Sequence, residues 1–229
     1  EELADDLPPE KAPKAVVSVD PDASGRAVIE LFCEAPVEPD GRYETYIEEL
    51  IAHCDLTYRL SPRRGLRALS GWSMGGYGCT MFATRHANDF GVLAPMIGLL
   101  DFPRVGLPEG QNYAVPEQRF GSDPALWATL NPLNRAGALR GMKLLIQTGT
   151  TAFDRTMNEN MARRLDLMGI PHRLEKRDGG HTFAVVQQAV PRVLQFVGGC
   201  FKEAKMSQRS AWLTESKYGV FIHFLGGGE

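Results

Sequence analysis

A chain of 229 residues, 43% hydrophobic and 23% charged, is long enough for one α/β domain that buries roughly 70–75% of its unfolded surface. Its net charge of −3, with no run of more than two lysines or arginines, excludes a chain built to grip nucleic acid or an anionic membrane surface. No apolar run reaches the ~18–20 residues of a membrane span, and the N-terminal EELADDLPPEKAPK lacks a signal peptide's apolar core.

The elements follow in chain order. Ala15-Val16-Val17-Ser18-Val19, ended by Asp20-Pro21, reads as a buried parallel strand. Ala27 to Phe32 reads as a short strand or an irregular segment. Tyr43, Tyr46, Ile47, Leu50, Ile51 and Cys54 recur at helical spacing on one face. Leu66 to Ser70 is a strand that runs into Gly71-Trp72-Ser73-Met74-Gly75, and Met74 to Arg85 is a helix. Val92 to Ile97 is a further strand. Residues 99–140, rich in proline, glycine and turns, form a long excursion over one sheet edge. Lys143 to Thr148 is a buried strand. Met157, Met161, Leu165 and Met168 mark one helix face, with Gly169 placed to end that helix. His172 to Lys176 is a short strand. Phe183 to Phe201 is a last helix that Pro191 should kink or restart. Strands alternating with helices predict a mainly parallel sheet with helices on both faces, and in such sheets chemistry sits beyond the carboxyl ends of the strands.

Three polar residues fall at such ends: Ser73, Asp154 and His181. The pentapeptide at 71–75 is a G-x-S-x-G between a strand and a helix. There a turn this tight strains the serine backbone and demands small neighbours. The hydroxyl is lifted clear of the sheet edge, at a helix N-terminus that offers positive partial charge. A serine hydroxyl needs a base, and His181 in Asp178-Gly179-Gly180-His181-Thr182-Phe183 is the candidate. The base needs a carboxylate to hold its tautomer, and Asp154, after the strand ending at Thr148, can supply it. The order Ser, Asp, His is that of α/β-hydrolases. Alternatives stand beside each role. Ser73 could be a turn serine, His181 a loop histidine, and Asp154 the N-cap of the Met157 helix. Asp101 is the rival acid, while Asp178 lies too close to the base. Trp72 is a core residue or a substrate contact. His53, His86 and His172 read as structural or solvated. Cys33, Cys54, Cys79 and Cys200 show no metal spacing and read as buried free thiols. No zinc motif, P-loop or dinucleotide fingerprint occurs, so neither metal nor cofactor is expected.

These residues resemble the putative-esterase family of α/β-hydrolases, which includes S-formylglutathione hydrolases, feruloyl and acetylxylan esterases and mycolyltransferases. The likeness runs from about Val16 to Phe201, through RYETYIEEL, RALSGWSMGGYG, ATRHANDF, FGSDPALWATLNP, KLLIQTGTTAFD and GGHTF. It implies a serine ester hydrolase of α/β-hydrolase fold, with Ser73 as nucleophile, Asp154 as acid, His181 as base and the Met74 N–H as one oxyanion donor. It also implies that the family's first strands, with a His-Gly loop carrying the second oxyanion donor, lie before Glu1. SAWLTESKYGVFIHFLGGGE, about Ala211 to Glu229, resembles instead the opening of the α-L-fucosidase family, in which His223 would line a sugar pocket. The expected organisation is an esterase-like domain over 1–205, with 206–229 as a linker and the start of a fucosidase-like module. Its neighbour tilts the expected substrate toward acyl groups on glycans. A non-catalytic carbohydrate-binding module, or a fragment of a fucosidase-like protein, is the alternative. The expected partner is a small-molecule or glycan ester, with no nucleic acid and no membrane. Oligomeric state stays open. So does compartment: secreted or periplasmic for glycan breakdown, cytoplasmic otherwise.

Overall fold

A computed structural model describes residues 15–21, 27–33, 43–58, 60–106, 115, 120–206 and 222–225, the segments 15–21, 27–33 and 222–225 as backbone. Four parallel strands form the sheet that matters for function, in the order β3 (Ala68–Trp72), β4 (Val92–Met96), β5 (Lys143–Gly149), β6 (Arg173–Arg177). Each is followed by an excursion long enough to return the chain to the same edge, as a parallel pair requires. β4 is buried at every position, as an interior strand covered on both faces should be.

Alternation along the strands divides the core in two. Leu69, Leu93, Leu144 and Ile146 face one side and meet helices α1 (Tyr43–Thr57), α2 (Met74–Arg85) and α4 (Arg155–Leu167). Val92, Ala94, Met96 and Leu145 face the other and meet α5 (Phe183–Met206). The apolar stripe of α1 works as its spacing predicts, burying Ile47, Leu50 and Cys54. Gly169 ends α4 with φ +63, a left-handed residue that lets Ile170 N–H close on Leu165 O at 2.9 Å. The excursion after β4 contains α3 (Pro124–Leu130), capped by Asp123, and a 3-10 stretch over Pro132–Leu139, capped by Asn131.

Several expectations are corrected. Residues 15–19 are not a parallel strand: β1 (Ala15–Pro21) pairs antiparallel with β2 (Ala27–Cys33), in a separate three-stranded sheet. Only residues 22–26 join them, far short of the dozen or more that a parallel crossover needs. Strand β3 starts two residues late, because Arg64–Leu66 forms a 3-10 turn closed by Arg67 N–H on Arg64 O. α5 runs through Pro191 as one helix. Val185, Val186, Ala189, Val193, Val197 and Cys200 bury one face, and Pro191 sits on the exposed side. Packing of that face outweighs the missing hydrogen bond.

The C-terminal resemblance falls mostly outside the described residues. Ile222–Leu225 is a strand, β7, parallel to β2, with His223 opposite Glu30. The thiols of Cys54, Cys79 and Cys200 are free and buried.

Candidate active site

The sheet order sets the site. β3, β5 and β6 end on the same side, and each carboxyl end hands the chain to one of the three expected residues. Ser73 follows β3 and precedes α2. Its φ of 56° and ψ of −121° lie far from either regular structure, where a non-glycine residue stays only if its surroundings force it. The forcing is visible. Ser73 N–H donates to Met96 O at 3.0 Å, Tyr77 N–H closes on Ser73 O at 3.1 Å, and a Cβ on Gly71 would lie 2.3 Å from Gly75 O. A Cβ on Gly76 would lie 2.7 Å from Gly98 Cα, so α2 seats against the turn after β4 by backbone contact.

Asp154 stands at the N-cap place of α4, but its side chain makes no capping bond. The carboxylate turns inward and is fully buried. Oδ1 meets His181 Nδ1 at 2.7 Å, and Oδ2 accepts from Thr148 Oγ1 at 2.7 Å and Asn158 Nδ2 at 2.9 Å. A charge removed from water needs such partners. His181 lies in the loop after β6, and its Nε2 is 2.7 Å from Ser73 Oγ. That loop is clamped to the one after β5: Thr151 N–H donates to Gly179 O at 3.0 Å and Thr150 N–H to Arg177 O at 2.8 Å. Gly149 permits the approach, since a Cβ there would lie 2.4 Å from Gly179 O.

The structure therefore brings Ser73, His181 and Asp154 into one hydrogen-bonded chain. Asp101 is not part of it. That carboxylate is also buried, but it accepts from Asn131 Nδ2 at 3.0 Å and Asn160 Nδ2 at 2.6 Å, with Arg104 Nε 3.0 Å away. Asp178 is exposed. Met74 is the first residue of α2, where backbone N–H groups have no acceptor within their own helix. Trp72 packs rather than projects: it joins the core beneath α5 and tilts against Phe183, with ring centroids 5.8 Å apart.

Sequence reasoning passed over four residues. Phe153 lies against the His181 ring, centroids 4.5 Å apart, and Phe183 leaves about half its surface exposed beside Trp72. Thr148 and Asn158 hold the Asp154 carboxylate. The signal for Asn158 was its place four residues after Asp154 at a helix start, the spacing at which side chains meet.

Among the described residues, a second polar cluster could hold a cation. Glu44, Glu48 and His86 bring one ligand atom each within 4.8 Å of one another. It is already an ion-pair cluster joining α1 to α2, since Arg85 engages Glu44 and Asp89 faces His86 Nδ1. It sits at the far end of α2 from Ser73, about 18 Å along the helix at ~1.5 Å per residue. His53 contacts Thr57, and His172 contacts Ile170 O; neither approaches Ser73 by a hydrogen bond. No described helix is long and apolar enough to cross a membrane.

The family model described as Putative esterase matches residues 33–196, more than half of the chain. The chain belongs to this family. Solved structures agree on its α/β-hydrolase fold. A ferulic acid esterase superimposes with TM-score 0.58 at 24% identity, over 69% of this chain and 61% of that one. A fluorophosphonate-binding serine hydrolase of Staphylococcus aureus gives 0.57 at 23% identity, over 68% of this chain and 63% of its own. MPT51 of Mycobacterium tuberculosis gives 0.59 at 17% identity, over 77% and 78%. The chain thus spans about six-tenths of the ferulic acid esterase and of the staphylococcal hydrolase. No curated protein matches it in sequence.

Proposed function

We propose that this member of the esterase family is a serine carboxylic-ester hydrolase that works through an acyl-enzyme. The observation that carries the reading is the continuous hydrogen-bonded path Ser73 Oγ, His181 Nε2, His181 Nδ1, Asp154 Oδ1, with 2.7 Å at both links. Ser73 Oγ attacks the ester carbonyl carbon while His181 Nε2 takes the hydroxyl proton, and the carbonyl π pair moves onto oxygen. On this reading the Met74 N–H, at the positive end of α2, donates to that developing charge. As the oxyanion collapses, the bond to the alcohol breaks and His181 returns the proton to the leaving oxygen. Water, deprotonated by the same histidine, then releases the acid and restores the Ser73 hydroxyl. Asp154 holds the Nδ1–H tautomer and stabilises the imidazolium.

The substrate reading is an acyl group on a carbohydrate. Its support is the fucosidase-like sequence at 211–229 and the structural likeness to a ferulic acid esterase. The reaction is tested with a p-nitrophenyl ester of a short acid and a fluorophosphonate probe. A p-nitrophenol burst equal to the enzyme concentration and probe attachment at Ser73 are expected, both lost in Ser73→Ala. Equal turnover in Ser73→Ala would refute the assignment. Release of acyl groups from acylated xylan or a fucosylated glycan, compared with simple alkyl esters, tests the substrate.

A further inference from the structure

Asn158 lies one helical turn beyond Asp154 in α4 and is fully buried. Its amide nitrogen has three oxygens around it: Asp154 Oδ2 at 2.9 Å, Asp154 O at 2.9 Å and Gly98 O at 2.8 Å. A flipped amide would press its own oxygen against all three, so the donor orientation is fixed by its surroundings. Among the described residues its Oδ1 has no hydrogen-bond partner. A buried acceptor left bare is costly, and an apolar residue of the same size would avoid that cost. The stabilising contacts of the amide are therefore those of its nitrogen.

Gly98 belongs to the turn that closes β4. There Met96 O accepts from Ser73 N–H at 3.0 Å, and Ile97, fully buried, takes φ 41, a left-handed conformation rare for a β-branched residue. The same turn presents Gly98 to Gly76 of α2, so closely that a Cβ on Gly76 would lie 2.7 Å from Gly98 Cα. One short piece of backbone thus supports the bend that carries Ser73 and, through Asn158, reaches Asp154 beyond the neighbouring strand β5.

We propose that Asn158 is a positioning residue that, together with Thr148, locks Asp154 Oδ2 and ties the acid to the 96–98 turn bearing the Ser73 bend. This rests on the hydrolase reading above. With Oδ2 held by two donors, the carboxylate cannot rotate without breaking both, and Oδ1 stays on His181 Nδ1. Asn158 acts through Asp154 and does not touch the substrate.

The test uses Asn158→Leu and Thr148→Val, with Asn160→Leu as control, because Asn160 braces the buried Asp101 from the same helix. The first readout is the low-field proton on His181 Nδ1, assigned by its loss in His181→Gln and needing no substrate. It should move or broaden in Asn158→Leu and Thr148→Val, and persist in Asn160→Leu. The second is steady-state kinetics: kcat should fall by about 10²-fold with KM held within about twofold, as for a misplaced group near the reacting atoms. On an Asp154→Asn background, Asn158→Leu should cost little more, because its effect passes through the missing carboxylate. An unchanged proton in Asn158→Leu would overturn the proposal, as would an equal loss on the Asp154→Asn background or the same shift in Asn160→Leu. Thr148→Val decides the Oδ2 lock alone if the leucine variant does not fold. A chain that keeps the proton but turns over no ester fails the hydrolase reading and leaves the positioning test readable.

Discussion

A methyl group on Gly71 would lie 2.3 Å from the carbonyl oxygen of Gly75, closer than any real side chain stands to a backbone atom. Gly71 thus sets how tightly β3 can turn into α2, and Ser73 projects because the turn is that tight. Gly71→Ala should open it. Fluorophosphonate labelling of Ser73 is expected to slow by about 10²-fold. Stability to urea should fall by about 1–3 kcal/mol, the usual cost of overpacking. Wild-type labelling in a folded Gly71→Ala protein would contradict this account of the bend.

Gly149→Ala should separate the two halves of the proton path. The added methyl meets Gly179 O and Gly180 O, in the loop from which His181 hangs. Turnover should drop while the Ser73 bend stays intact. The chemical shifts of α2 amides should therefore persist while those of residues 178–182 move. Gly198→Ala supplies the contrast. That glycine lies inside α5 with open space around its Cα, so alanine should raise stability by about 0.5–1 kcal/mol.

Asp154→Asn keeps the shape of the site and removes its charge. By the logic of a Ser–His–Asp arrangement, kcat should fall by about 10⁴-fold, with the histidine left in the wrong tautomer. Asp101→Asn should not reproduce that loss at the chemical step, because Asp101 braces Asn131 and Asn160 instead. Single-turnover acylation rates for the two variants separate these cases.

Alkaline stability should carry the mark of Cys79. Burial pushes its thiol from an ordinary 9.0 up to about 12, and burial also raises the Tyr77 phenol, which donates to Leu130 O at 2.8 Å. Between those two pH values the unfolded thiol loses its proton and the folded one keeps it. The folded state then binds more protons, so stability falls as pH rises through that window. The slope due to this one group is about 1.4 kcal/mol per pH unit. Denaturant melts from pH 8 to pH 11 should show the decline in the wild type and a shallower one in Cys79→Ala.

The parts of the fold that local chemistry dictates were readable from the chain. Residues 74–85 form the expected helix, and Gly169 ends α4 where the apolar face runs out. Ser73 was legible because a strand, a glycine-flanked serine and a helix are neighbours in sequence. Asp154 and His181 were legible through chain order and loop position, but the choice between Asp154 and Asp101 was not. Both follow a strand, both are buried, and only the three-dimensional path shows which one reaches the imidazole. Thr148 and Asn158 went unread for the same reason: a buried hydrogen bond shows in sequence only as spacing. The misreading of Ala15–Val19 had another origin. An apolar run records burial, not strand direction, and the five-residue connection to Ala27 was the better guide. At Pro191 a local rule lost to the apolar face of a long helix packed on the sheet.

Ser73 and His181 stand 108 positions apart in the chain, and Asp154 lies between them on a third connection. No contiguous fragment shorter than that separation contains both ends of the proton path. On the proposed reading the serine emerges during synthesis long before its base, and its hydroxyl gains the imidazole only once the loop after β6 is in place. On that reading, reactivity would be a completion signal. A probe expected to label Ser73 would then count finished molecules, and a chain stalled or clipped before residue 181 should be chemically silent.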